Sequence, residues 1–293
     1  MVRISAPRFT GDSLLTHYKR AINVAYEIRS YDGDDDLVLD LTKSEWFTPA
    51  SLVPLCVAYN KKVTNGTEID VDLPSNYLMQ EYLSQINFPE GTTDPSQQYS
   101  NSLPLCLLNQ SPSSGAAENV SQKLRSLLKK EYDSLSPSAR QGISLPIYEI
   151  VDNIDQHSNC DLGAVLVQNY GSKDFIDIGI VDDGITIPKN FENHSVDFDS
   201  DNDAIEMAME GKVSTKGRGV DRGYGIKTTV NLVCEGLNGS ILIASRDGTI
   251  LQKNSTKVPR DYPVDWPGTI VVCRMSIPED DFRLNDYITG IGE

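Results

Sequence analysis

The sequence predicts an α/β protein built from two units, and three observations indicate this. Strand-like and helix-like segments alternate in the first third of the chain, a polar stretch interrupts the middle, and amphipathic helical patterns lead into strand-like segments in the second half. Alternation of this kind favours layers of helices on sheets. A chain of 293 residues is also long enough for two domains of ordinary size.

The elements of the first unit are predicted from short apolar runs bounded by turn-forming residues. The segments LVLDL and TEIDVDL have the composition of strands, and each is followed by a helical pattern. The predicted strands cover 37–41 and 67–73, and the predicted helices cover 49–62 and 75–86.

The boundary between the units is predicted from composition. Pro, Ser, Thr, Gln and Asn dominate residues 89–115, where only the run at 103–109 resembles a strand. We place the boundary near Gly115, which gives a first unit at 1–115 and a second unit at 116–293.

The charge balance and the cysteines exclude several classes of protein. Lys and Arg number 26 against 42 Asp and Glu, so the net charge of −16 repels phosphates, and we expect no general nucleic-acid binding. No run approaches the roughly 18 apolar residues of a membrane-spanning helix, and the first residues lack the apolar core of a signal peptide. We therefore expect a cytoplasmic protein without membrane attachment. The five cysteines are scattered without a Cys-x-x-Cys pair, which argues against a disulfide framework or a thiolate metal site.

The first segment with candidate chemistry is an amphipathic helix. Apolar residues recur at helical spacing from Ile147 to Ile154, while Glu149 and Asn153 lie one turn apart on the opposite face. A carboxylate at this position can orient an attacking group, and an amide oxygen can bind a hard cation. Taken alone, the pattern also fits an ordinary solvated helix face.

The second segment is a strand that ends in acidic residues. Alternating apolar and polar residues at 175–181 stop at Asp182-Asp183-Gly184, which places a carboxylate in a turn where it can accept a hydrogen bond. A plain turn at the end of a strand remains the alternative.

The third segment is rich in glycine and positive charge. Four glycines between 217 and 225 run directly into a helical pattern, and Arg218 and Arg222 concentrate positive charge in an acidic protein. Glycines permit close backbone approach, and a helix N-terminus favours an anion such as phosphate. A flexible solvent loop is the alternative.

Together and in this order, the segments resemble the GHKL superfamily of ATP-binding proteins, whose histidine kinase-like ATPase domain is a two-layer α/β sandwich of the Bergerat type. The resemblance covers about residues 120–280. The matching motifs are Glu149-x-x-x-Asn153, Asp182-x-Gly184, Arg222-Gly223-Tyr224-Gly225-Ile226, the segment NGSILIASRDGTI, which resembles a hairpin of the family, and Pro267-Gly268-Thr269 with the strand after it. Thr186 departs from the pattern, because the family has a glycine there.

The resemblance implies ATP and Mg²⁺ as cofactors and a role for each matching residue. The stretch from Lys189 to Lys216 would form a lid over the nucleotide, and residues 189–221 are expected to bury little apolar surface because of their glycines and polar residues. The implied roles are Glu149 as the group that activates the attacking atom, Asn153 as the Mg²⁺ ligand, Asp182 as the acceptor for the adenine amino group, Gly184 in the base pocket, Thr269 near the adenine, and Arg222, Gly223, Tyr224 and Gly225 around the phosphates.

Residues 1–88 resemble STAS domains, the antagonist modules of partner-switching regulation. The resemblance is carried by LVLDLTKSEWFTPASLVPLC. It implies that a serine near the start of this helix can accept a phosphoryl group, and Ser51 is the nearest match, although Pro49 and Ala50 depart from the usual pattern. A simple role at the helix N-terminus is the alternative.

These resemblances imply ATP hydrolysis or phosphotransfer to a protein serine or threonine, in signalling. Glu149 favours this hypothesis, because the ATPases and anti-sigma serine kinases of the family carry Glu there, and no phosphoacceptor-histidine helix is recognisable in the sequence. The alternatives are a non-catalytic module whose protein-binding surface is gated by ATP, and a structural protein with a degenerate pocket. The expected partners are a nucleotide and another protein, and a homodimer is compatible with the resemblance.

Overall fold

The computed structural model describes residues 1–94, 102–109, 116–154, 159–212, 225–279 and 281–288. It is a mixed α/β protein in which these residues form one parallel and one antiparallel sheet. The predicted fold class is confirmed at this level. Within the described residues, the helices are too short or too polar to cross a membrane.

The first unit is a three-stranded parallel sheet with its helices in the connections. The strands follow the order β1-β2-β3, and α1 and α2 pack on one side of them, as two right-handed crossovers in this order require. The predicted strands and helices of this unit are confirmed. Its elements are β1 (Val2–Ser5), α1 (Leu14–Ser30), β2 (Leu37–Asp40), α2 (Pro49–Thr64), β3 (Ile69–Asp72) and α3 (Tyr77–Gln85).

The second unit is built on a five-stranded antiparallel sheet with the order β4-β5-β6-β8-β7. The strands predicted near 175–181, 240–245 and 269–275 lie within β6, β7 and β8. Its first strand precedes Gly115, so the predicted boundary falls after the start of this sheet. The strands are β4 (Cys106–Asn109), β5 (Leu162–Tyr170), β6 (Phe175–Asp182), β7 (Ser240–Lys253) and β8 (Thr256–Ser276).

In the described part of the second unit, five helices accompany this sheet, and α5 packs directly on it. Ile176, Ile178 and Ile180 alternate along β6 and share one apolar core with Ile147 and Val151 of α5. The helices are α4 (Ala116–Glu131), α5 (Pro137–Asn153), α6 (Ile187–Asn193), α7 (Asp201–Glu210) and α8 (Gly225–Asn231), which continues as a π-helical turn at Leu232–Gly236.

The opposite face of the five-stranded sheet is covered by the first unit. Leu52 and Leu55 of α2 belong to the same buried cluster as Leu166 and Val272 of the sheet. A Cβ at Gly179 in β6 would lie 2.9 Å from Pro49 Cβ and 3.0 Å from Pro49 O, so α2 approaches the strand backbone directly. The molecule therefore has four layers: parallel sheet, helices, antiparallel sheet, helices.

The segment NGSILIASRDGTI is not a hairpin, which corrects the expectation from its resemblance. It belongs to β7, which continues through a bulge at Arg246 to a turn at Asn254 and Ser255. Gly248 in this strand allows close packing, because a Cβ there would lie 2.8 Å from the carbonyl carbon of Asp201 at the start of α7.

Candidate functional site

Asp182 ends β6 as a buried carboxylate at the start of a turn. Its side chain is 2% exposed, and Gly184 N donates a hydrogen bond to Asp182 Oδ1 at 2.8 Å. Burial raises the pKa of Asp182 to about 7, with the nearby charge of Asp183 adding to the rise and backbone hydrogen bonds from Gly184 and Thr269 opposing it. This carboxylate therefore changes charge near neutral pH.

The backbone of this turn lies against β8. Trp266 Nε1 donates to Asp182 O at 2.8 Å. A Cβ at Gly268 would lie 2.2 Å from Asp182 O and 2.8 Å from Gly184 N, which leaves room for glycine alone. The predicted motifs around Asp182 and Thr269, far apart in sequence, therefore meet in the fold.

Ser245 completes this corner and was missed in the sequence. Its buried hydroxyl donates to Gly268 O at 2.7 Å, accepts from Ile187 N at 2.9 Å and lies 3.4 Å from Thr269 Oγ1. Ser245 joins β7, β8 and the start of α6. The signal for it was a serine at a core-facing position of an alternating apolar strand.

Thr186 has a local structural role in place of the glycine that the resemblance implies. It is the N-cap of α6, and its Oγ1 accepts a hydrogen bond from Lys189 N at 3.1 Å. Thr186, which replaces the glycine of the family pattern, thus starts a helix directly after the Asp182 turn.

Glu149 lies on α5 and contacts the start of α8. Its side chain is 5% exposed, and Glu149 Oε2 accepts a hydrogen bond from Gly225 N at 3.0 Å. Gly225 has a φ of 68°, a conformation that favours glycine. Asn153 is half-buried at the end of α5, one turn after Glu149 on the same face. The structure thus joins the predicted helix motif to the last glycine of the predicted glycine box.

Asp182 and Glu149 belong to the same side of the sheet. Along β6, Asp182 has the same alternation as Ile178 and Ile180, which face α5, the helix that carries Glu149. The structure therefore forms two groups on one sheet face, one around Asp182 and one around Glu149. Arg222, Gly223 and Tyr224, predicted to bind phosphates, lie outside the described residues.

The prediction of a lid with little apolar burial is wrong for residues 189–210. This stretch contains α6 and α7, and Ala204, Ile205 and Met209 of α7 are at most 2% exposed. Two cations of the β7–β8 hairpin also hold it: Arg246 pairs with Glu192 and Asp201, and Lys257 with Glu206 and Glu210. The apolar spacing within α7 explains the difference. Residues 213–216 of the predicted lid lie outside the described part of the chain.

Ser51 is fully buried, which contradicts the expectation that it accepts a phosphoryl group. Its hydroxyl accepts from Thr48 N at 3.2 Å, donates to Thr48 O at 2.8 Å and lies 3.2 Å from His17 Nδ1. These contacts fix the first turn of α2, so the alternative of a helix N-terminal role is the one the structure supports.

The Asp182 turn also contacts the first unit. Asp183 Oδ2 lies 2.8 Å from Lys61 Nζ of α2, and Asp183 Oδ1 accepts from Leu162 N at 2.9 Å. The guanidinium of Arg29 on α1 lies 5.0 Å from the centroid of the Trp266 ring. Sequence reasoning gave no indication of these contacts.

The side chains of Glu149 and Asn153 are oxygen donors of the type that a hard cation accepts. Glu149 and Asn153 offer carboxylate and amide oxygens, the ligands that Mg²⁺ accepts beside phosphate oxygens and water. In the described parts of the chain, no three His, Cys, Asp or Glu side chains converge into a metal cluster. In comparisons with protein families and curated proteins, no family model and no curated protein matches the sequence.

Proposed function

We propose that the second unit is an ATP-binding domain of the GHKL type, and that the protein uses Mg²⁺ and ATP for hydrolysis or for phosphotransfer to a protein. The observation that carries this proposal is the meeting of the Asp182 turn with Gly268 and Thr269, two motifs separated by more than 80 residues. The antiparallel sheet with α5 and α8 on one face supports the Bergerat-type sandwich.

In this proposal Asp182 recognises the base. Its ionised carboxylate accepts a hydrogen bond from the adenine amino group, and Gly184 leaves room for the base beside the turn. Because burial raises the pKa of Asp182 to about 7, binding of a donor competes with protonation of this carboxylate. Adenine therefore binds more tightly at a pH above 7 than below it.

The catalytic end of the site is assigned to α5. Asn153 contributes an amide oxygen to Mg²⁺, which supplies charge neutralisation at the phosphates when bound. Glu149 orients the attacking water or hydroxyl group and accepts its proton while ADP leaves. The hydrogen bond from Gly225 N fixes one oxygen of this carboxylate, and the proposal assigns the other oxygen to the attacking group.

The first unit is proposed to be a STAS-like domain, and the protein to act in cytoplasmic signalling with a protein partner. The β-α alternation around a parallel sheet supports this, with α1 and α2 on one side. Its regulatory role would not use Ser51 as an exposed phosphate acceptor, since that hydroxyl is buried. A homodimer remains part of the proposal.

The second candidate function is a non-catalytic module whose surface changes when ATP binds. The contact between Glu149 and Gly225 favours it, because this carboxylate holds the start of α8. A ligand that changed this hydrogen bond would therefore change the position of the start of α8. Turnover would then be absent, although nucleotide binding remains.

Calorimetry and a phosphate-release assay test the proposal on the same preparation. We expect MgATP to bind and GTP to bind at least about tenfold more weakly, because guanine presents a carbonyl where adenine presents its amino group. Phosphate release above that of the Glu149→Gln variant supports the enzyme. ATP binding without release, with candidate partners present, supports the gated module. Absence of both binding and a nucleotide-dependent shift in melting temperature rejects nucleotide binding altogether.

A further inference from the structure

The compensating cation for Asp183 comes from the other unit of the molecule. Asp183 is 6% exposed at its side chain, and Lys61 Nζ lies 2.8 Å from Asp183 Oδ2 and 2.6 Å from Asp161 Oδ2. Asp183 also exchanges backbone contacts with Leu162, since Asp183 N donates to Leu162 O at 3.1 Å. A buried carboxylate beside Asp182 is therefore neutralised by α2.

A second path leads from α1 to the same turn. Arg29 Nη1 donates to Asp265 O at 3.2 Å, and the guanidinium lies over the ring of Trp266. Trp266 Nε1 in turn donates to Asp182 O at 2.8 Å. Two helices of the first unit, α1 and α2, thus reach the backbone or the charge of the predicted base pocket. The other unit is part of the environment of Asp182.

We propose that Lys61 is a positioning residue for the nucleotide site: by neutralising Asp183 it fixes the turn and keeps the adjacent Asp182 carboxylate available to the base. The part of this inference that concerns nucleotide affinity rests on the proposed function. Its effect on Asp182 does not, because that effect is present in the protein without ligand. The inference makes the first unit a determinant of base binding.

The electrostatic reason is the surplus of carboxylates around this turn. Loss of Lys61 would leave Asp183 and Asp161 without their shared cation, and their negative charge would further disfavour ionisation of Asp182. The pKa of Asp182, already raised to about 7, would rise again. The charged side chains on the elements around the turn are Asp183 in the turn, Asp161 before β5, Lys61 from α2, Arg29 from α1, Asp265 in β8, Glu149 from α5 and Lys189 from α6.

The test uses three variants of α2 and two readouts. Lys61→Met removes the charge, Lys61→Arg restores it, and Lys62→Met is the matched control, because Lys62 donates to Tyr31 O within the first unit. The first readout is the titration of the Asp182 carboxyl carbon by nuclear magnetic resonance without ligand, assigned by its loss in Asp182→Asn. The second is the dissociation constant of MgATP between pH 6 and pH 9.

We expect Lys61→Met to raise the titration midpoint of Asp182 by about one unit. Affinity for MgATP should then fall about fivefold at pH 7, because a smaller fraction of Asp182 is ionised, and should recover towards the wild-type value near pH 9. Lys61→Arg should restore both quantities, and Lys62→Met should leave them as in the wild type.

A variant with the opposite sign covers the case in which Lys61→Met does not fold. Asp183→Asn keeps an oxygen for Leu162 N but removes the negative charge, so the Asp182 midpoint should fall by about half a unit or more. An unchanged midpoint in Lys61→Met or, if that variant does not fold, in Asp183→Asn overturns the inference. A loss of ATP affinity that is equal at every pH, with an unshifted midpoint, also overturns it. Absence of ATP binding in the wild type with a shifted midpoint rejects the proposed function and supports the assignment of Lys61.

Discussion

The two ends of the candidate site are built in different ways. Asp182 is held by a strand end and by close backbone contact with Gly268, and its neighbour Asp183 pairs with Lys61 of α2, so elements of both units surround it. Glu149 is held by a helix of the second unit and by one hydrogen bond to Gly225, directly after a segment outside the described residues. Under the proposed function, the base end therefore depends on the whole molecule, whereas the phosphate end depends on the second unit.

The largest expected effect separates the two ends by their chemistry. Glu149→Gln keeps an oxygen for Gly225 N but removes the proton acceptor, so phosphate release or phosphotransfer should fall about a hundredfold or more, while ATP affinity stays within about threefold. Turnover by phosphate assay and binding by calorimetry measure the two quantities on one preparation. Loss of ATP binding in this variant would contradict the assignment of Glu149 to the phosphate end.

The next effect belongs to the base end. Asp182→Ala removes the acceptor for the adenine amino group and leaves that donor unpaired, which costs about 1 to 3 kcal/mol, or roughly ten- to a hundredfold in ATP affinity. Calorimetry at pH 8 measures it, with circular dichroism to establish that the variant is folded. An affinity for ATP equal to the wild type would remove Asp182 from the site.

Close packing at the base end gives a third effect, on stability. Gly268→Ala would place a methyl group 2.2 Å from Asp182 O, so the turn must move, and we expect a loss of about 1 to 3 kcal/mol in the free energy of unfolding. Gly171→Ala is the matched control, since its nearest neighbour, Tyr132 OH, would be 3.8 Å away. Urea unfolding of both variants measures the difference. Equal stabilities of the two variants would show that the backbone around Gly268 moves to accept a methyl group with little loss of stability.

A fourth expected effect is the pH dependence of stability that the buried carboxylate contributes. The folded protein keeps the Asp182 proton up to about pH 7, because burial raises its pKa, whereas the unfolded chain releases it near the ordinary pKa of 3.8. Between these values the folded state binds more protons, so this contribution to the free energy of unfolding decreases as pH rises. Burial lowers the pKa of His17. The contribution of His17 to the free energy of unfolding therefore decreases as pH falls below about 6.5, whereas that of Asp182 decreases as pH rises.

Comparison with Asp182→Asn isolates the first contribution, because His17 is common to both proteins. The wild type should lose about 1 to 3 kcal/mol relative to this variant between pH 5 and pH 8. Denaturant unfolding at the two pH values measures this difference. A difference that stays constant with pH would show that Asp182 is ionised throughout.

The periodicity of apolar residues predicted much of the fold. It also predicted the helix that carries Glu149 and the strand that ends at Asp182. The apolar spacing around Glu149 and the alternation before Asp182 are local signals, and the structure places both residues where those signals indicate. The apolar spacing within α7 was an equally local signal, but the prediction of a lid was based on the family resemblance and not on this spacing. Its Ile205 and Met209 show that apolar spacing was the better guide there.

The contacts between distant residues had no such signal. Lys61 and Asp183 are 122 positions apart, and neither lies in a pattern that names the other. The buried Ser51 hydroxyl likewise lies 3.2 Å from His17 Nδ1 of α1, a contact that the local sequence of a helix start does not encode. Tertiary arrangement therefore decides which polar residues near a motif belong to the site.

The contact of α2 with β6 determines how the chain can be shortened for experiments. A chain that starts at residue 116 would lack α1, α2 and β4, and the sheet face that includes Leu166 and Val272 would be left open to water. Such a face is an extended apolar surface beside an unpaired strand edge, the combination that promotes aggregation. Expression of the second unit alone is therefore expected to give insoluble protein, so experiments on the site need the chain with both units.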